Sequence, residues 1–188
     1  MKRVLLLICC AMLGWNACAA EVEGVKLYDM LHIGEHDLVL NGAGVRSRLF
    51  CDMYVAALYL TEKKDSSDAI LAGDVENRVA MHMLRDISSE TLSNSFNKSI
   101  NLNLTPAELA ALDVQFKQLA VLFSMMSEAK KGDVITLDYL PGQGTAVNFN
   151  DVTIGRIEGA AFNVALLKVW LGNKPVQEDL RKKLLGGQ

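Results

Sequence analysis

Arg46 and Arg48 stand in the stretch NGAGVRSRLFCDMYVAALYL, residues 41–60, where a glycine-rich segment runs into a strongly apolar one. A guanidinium at the edge of a core has three stable arrangements. It is solvated, it is paired with an acid, or it waits for an anionic ligand. Asp52 and Asp86 are the acids that would give an internal pair. Gly42 and Gly44 flank Ala43 just ahead of Arg46, but the lysine and hydroxyl of a phosphate loop are missing, and so is the third glycine of a dinucleotide fingerprint. The glycines therefore read as a turn that needs positive φ. His32, His36 and His82 are the only histidines, and no cysteine or carboxylate stands beside them at metal-ligand spacing, so no metal site is expected. His82 in AMHML reads as a buried neutral histidine. Cys51 has no activating base in view and reads as a buried thiol. Met53, Met81, Met83, Met125 and Met126 read first as core filling, though they also suit a cavity that adapts to flexible apolar ligands.

The elements that position these residues follow from periodicity. VKLYDMLHIG and HDLVLNGAG predict a first hairpin turned near Gly34 and Glu35, with residues 45–51 and 54–60 as two further extended segments. YVAALYL is apolar at every position, the pattern of a strand covered on both faces, and belongs in the middle of a sheet. A charged connection leads to RVAMHMLRDI, another buried strand. SSETLSNSFNKSI carries Leu92, Phe96 and Ile100 at four-residue spacing, a thin apolar stripe on a polar helix. Thr105, Pro106 and Glu108 form a capping-box start, and Leu109, Leu112, Phe116, Leu119, Phe123 and Met126 continue it as one amphipathic helix. Residues 132–157 read as a meander turned at PGQG, GAAFNVALLKVWLG as a helix buried nearly all round, and VQEDLRKKLLGG as a short closing helix. Six or seven strands and four or five helices, with helices following hairpins, predict an α+β fold: an antiparallel sheet with helices on one face.

Composition narrows the function classes. Lys2 and Arg3, the apolar run VLLLICCAMLGW and the small residues ACAA have the layout of an export signal cut after Ala19 or Ala20. Residues 1–20 are thus read as a signal peptide and 21–188 as one domain in the periplasm, with no membrane-spanning segment. Loss of Lys2 and Arg3 takes the 19 basic residues to 17 against 22 acidic ones, a charge of about −5. That argues against nucleic acid and anionic membrane surfaces as partners. Of the four cysteines only Cys51 remains, so no internal disulfide forms and stability rests on the core.

NGAGVR, then DMYVAALYL, then LRDI, then VWLGNKPVQEDLRKKLLG, in that order and spacing, resemble the chalcone isomerase-like family and its exported bacterial branch, from about residue 24 to 186. The resemblance implies an open-faced β-sandwich, a large antiparallel sheet backed by one layer of helices with a cleft between them. In the plant isomerases the arginine of this segment steadies a phenolate or enolate oxygen, and here that position is Arg46. In plant members that bind fatty acids without catalysis, the arginine and a tyrosine on the next strand hold the carboxylate; Tyr54 matches that tyrosine. This chain is about four residues shorter than the plant proteins between the arginine and the apolar strand. The isomerases carry threonine where Tyr54 stands, their catalytic tyrosine and asparagine find no match among residues 100–115, and a further threonine falls at Val169. Lys98 lies near the family's lysine. The resemblance thus implies a binder of a small anionic amphiphile such as a fatty acid, its acid group on Arg46 and Tyr54; Tyr59 and Lys98 are further candidate ligand-binding residues, and no cofactor is expected. Two alternatives stand beside it: an intramolecular lyase or isomerase on a conjugated carbonyl, with Arg46 as oxyanion stabiliser and Tyr54, Tyr59 or Lys98 as acid or base, and a protein-interaction domain with no small ligand.

Overall fold

The computed structural model describes residues 19–187, so all but the last two residues of the expected export signal lie outside the described residues. The chain opens with two short strands, β1 (Ala19–Val22) and β2 (Val25–Tyr28), followed by β3 (Met30–Ile33), the long β4 (His36–Arg48) and β5 (Cys51–Leu60). A short helix α1 (Ser67–Leu71) precedes β6 (Asn77–Met83) and the two-residue β7 (Ile87–Ser88). Helices α2 (Ser89–Asn103), α3 (Pro106–Ala111) and α4 (Asp113–Met125) come next, then the two-residue β8 (Glu128–Ala129) and the meander β9 (Val134–Leu140), β10 (Gly144–Phe149) and β11 (Val152–Ile157). Helices α5 (Ala160–Leu171) and α6 (Glu178–Leu184) close the chain.

Seven strands form one antiparallel sheet in the order β11-β10-β9-β6-β5-β4-β3. Its centre is β5 and β6, where the sequence is most continuously apolar. Side chains alternate across a strand, so Tyr54, Ala56, Leu58 and Leu60 of β5 face the helices while Val55, Ala57 and Tyr59 face the opposite side. On the helix side, Phe96 of α2 packs edge-on against Phe123 of α4, with centroids 5.1 Å apart, and against Trp170 of α5 at 5.4 Å. This is the arrangement expected of rings whose edges are positive and faces negative. The other face carries a smaller cluster to which β2 contributes Leu27. Further along it, Arg78 makes a two-pronged pair with Asp138, and Asn148 donates to Asp138 and Thr136.

Several expectations are corrected. VKLYDMLHIG is not one arm of a hairpin: it breaks at Asp29, and β2 pairs with β1 instead of joining the large sheet. Gly42 and Gly44 are not in a turn. They lie inside β4 without positive φ, where a Cβ at Gly42 would strike the backbone carbonyls of Lys183 and Leu184 in α6. The glycines are there for close approach. The actual turn is Leu49–Phe50, both left-handed at φ 50° and 64°. The capping box of Thr105 and Glu108 forms as read, but the helix it starts stops at Ala111, and Leu112 leaves helical geometry before α4 begins. Glu108 is held by the cap and by Lys168 of α5, whereas Leu119 and Phe123 of α4 enter the core, so the two segments answer to different partners. The charged connection after β5 holds α1. Cys51 is exposed rather than buried, because it begins β5 right after the turn.

Candidate functional site

Arg46 on β4 lies directly opposite Tyr54 on β5, so their side chains leave the sheet on one face, the helix side. A register shift between Arg46 and Ser47 marks a bulge there, a device that re-aims a side chain at a sheet rim. Gln177, at the start of α6, fixes the bulge. Its Oε1 accepts from Ser47 N at 2.9 Å and from Arg46 Nη1 at 3.1 Å, and its Nε2 donates to the Val45 carbonyl at 3.4 Å. The guanidinium also donates to the Ser47 carbonyl. Each of these acceptors is neutral. Asp52 accepts from Ser47 Oγ and Asp86 from Lys131 N, so neither pairs with Arg46.

Tyr54 is 7% exposed, and its hydroxyl oxygen accepts from Trp170 Nε1 at 3.2 Å. Among the described residues the hydroxyl's own proton has no acceptor. Burial pushes its pKa up, against the smaller downward pulls of the Trp170 hydrogen bond and the Arg46 charge. The group therefore stays a neutral donor at any physiological pH.

Across from the sheet, α2 turns two faces in two directions. Leu92, Phe96 and Ile100 enter the core, while Thr91, Ser95, Lys98 and Leu102, also three or four apart, line a cleft of about 520 Å³. Arg46 and Arg48 form its sheet side, and Lys174, Pro175 and Val176 close it from the link between α5 and α6. That link is pinned by Asn103, which donates to the Lys174 carbonyl and accepts from Lys174 N, both at 2.8 Å. Four cations thus share the cleft. Among the described residues none of them has a carboxylate within 4.0 Å.

Of the residues read from sequence, Arg46 and Lys98 line the cleft together, while Tyr54, opposite Arg46 in the sheet, is buried against Trp170 and is not among the lining residues. Tyr59 does not join them. It is odd-numbered on β5 and so faces the opposite side, 2% exposed and in register with Arg78, with burial pushing its pKa up to about 12. Arg48, Lys174, Gln177 and Asn103 join the site in the structure, and Lys174 and Gln177, which arrive by α6 and its approach, carry no local signal in the sequence. The cleft wall is also less greasy than expected: hydroxyl and amide side chains of α2 dominate it, and the space beneath is packed by Trp170 and Phe96. Among the described residues no three His, Cys, Asp or Glu side chains group as a metal site, and no helix is long and apolar enough to cross a membrane. His82 is half-buried, and burial lowers its pKa.

A family model described as chalcone isomerase-like matches residues 19–186. No curated protein matches the chain. Among solved structures, a fatty-acid binding protein of Arabidopsis thaliana is similar in fold, with a TM-score of 0.68 and 16% identity over 86% of this chain and 92% of that one.

Proposed function

Because this chain belongs to the chalcone isomerase-like family, we propose that it is a non-catalytic periplasmic binder of an anionic amphiphile such as a fatty acid. The acid group sits at Arg46 and Lys98, with the Tyr54 hydroxyl as a further donor. The observation that carries this reading is the cluster of Arg46, Arg48, Lys98 and Lys174 in one cleft with no acid among its lining residues. Clustered like charges in a partly walled space repel one another and concentrate anions. The planar fork of Arg46, already oriented by Gln177, matches a carboxylate two-prong to two-prong. Leu102, Pro175 and Val176 offer an apolar margin for the start of a chain. The likeness to a plant protein that binds fatty acids supports the ligand class, and the positive, apolar and small-residue layout of residues 1–20 supports export.

Catalysis has less support. Tyr54 and Tyr59 are both pushed toward their neutral forms by burial, and Asn103, an asparagine within residues 100–115, is committed to the Lys174 backbone. Titration calorimetry with a long-chain fatty acid tests the proposal: wild type binds, and Arg46→Ala with Lys98→Ala does not. Equal affinity in wild type and the double variant would sink it.

A further inference from the structure

The β4–β5 hairpin ends in a two-residue turn, since Arg48 pairs with Cys51. Both turn residues are left-handed, the geometry that ordinarily selects Asn-Gly because a bulky side chain at positive φ crowds its own backbone. Here they are Leu49 and Phe50. Their side chains touch little of the folded chain: Leu49 is 81% exposed and Phe50 fully exposed. Two large apolar groups thus occupy strained positions and gain little packing from the described residues. Backbone strain of this kind clusters at functional sites.

The surroundings say what that function is. Arg48 stands immediately before the turn and lines the same cleft as Arg46, Lys98 and Lys174, so a cationic cluster with no ion-pair partner among the described residues lies beside the apolar tip, with Asp52, bonded by the Ser47 hydroxyl, as the nearby acid in sequence. We propose that this end of the molecule docks on an anionic phospholipid bilayer, with Leu49 and Phe50 entering the headgroup–acyl boundary and the cations at headgroup depth. An apolar tip and adjacent cations are the two signals that together hold a peripheral protein on a membrane. Net negative charge, read from composition as unfavourable to such surfaces, acts here as an orienting device: the basic end faces the lipid and the acidic remainder is repelled. A second copy of the chain fits this end poorly, because facing tips would bring the cation clusters together. The inference is independent of what the cleft holds, and absence of fatty-acid binding would leave it standing.

The test is co-sedimentation with phosphatidylglycerol vesicles and with phosphatidylcholine vesicles, using protein as processed by an exporting host. The variant is Leu49→Asn with Phe50→Gly, which suits the turn and so preserves the fold. Wild type should bind the anionic vesicles, lose binding as salt rises, and bind the neutral ones weakly, while the variant's partitioning should fall by at least about tenfold. Fatty-acid affinity in solution should not change in the variant. Equal vesicle binding by variant and wild type, or no binding by either, would overturn the proposal. So would a wild-type dimer in light scattering that the variant dissociates, since the tip would then be covered by protein.

Discussion

At Arg46 the hydrogen-bond acceptors within reach are an amide oxygen and a backbone carbonyl, so the side chain is held in direction but not in charge. Replacing it by alanine should weaken fatty-acid binding by roughly ten- to a hundredfold, the worth of a charge-assisted bond, as read by calorimetry. Lysine in its place keeps the charge without the fork and should recover only part of this. Gly42 makes the complementary case. A methyl group there meets the Lys183 and Leu184 carbonyls, whereas one at Gly44 meets chiefly the flexible Lys183 and Leu180 side chains. Gly42→Ala should therefore cost on the order of 2–3 kcal/mol in a urea titration, and Gly44→Ala clearly less. Arg46 was legible in the sequence because it stands where a polar residue meets an apolar strand. The purpose of the glycines was not, because the helix they make room for lies at the other end of the chain.

Among the elements, α3 shows a cap that does more than start a helix. Glu108 bonds the Thr105 backbone and hydroxyl and also Lys168, and these partners, the Thr105 backbone foremost, hold its pKa down at about 2. A carboxyl depressed in the folded state contributes stability above its unfolded pKa and loses it as pH falls through the folded value. Stability should thus decline between about pH 4.5 and pH 2, and the decline should be shallower in Glu108→Gln when followed by circular dichroism. The β4–β5 hairpin is the opposite case, an element whose turn works against it. Leu49→Asn with Phe50→Gly should stabilise the fold by roughly 1–2 kcal/mol for each residue relieved, visible as a raised thermal midpoint. Caps could be read from neighbouring residues because they are made by neighbouring residues. The turn could not, since Leu-Phe carries no turn chemistry and is forced by the pairing of Arg48 with Cys51.

For the molecule as a whole, Trp170 joins core to site: it packs on Phe96, bonds Tyr54, and is the one tryptophan among the described residues. Its emission should change when a fatty acid reaches the Tyr54 hydroxyl and stay unchanged in Tyr54→Phe. Ligand at about a hundred times its dissociation constant should add about 2.7 kcal/mol to unfolding stability, a gain that Arg46→Ala should cut to roughly 0.4–1.4 kcal/mol at the same ligand concentration. Sequence alone determined helices following hairpins, the buried centre at β5 and the capping box, because period and caps are local quantities, while the resemblance of its motifs to the family's marked Arg46, Tyr54 and Lys98 as candidates. Only the tertiary structure decided that Tyr59 faces away, that Gln177 and Asn103 fix the walls of the cleft, and that four cations meet there with no acid among the described lining residues. Strand parity, sheet register and the docking of α6 set those outcomes, and each depends on contacts between residues far apart in the chain.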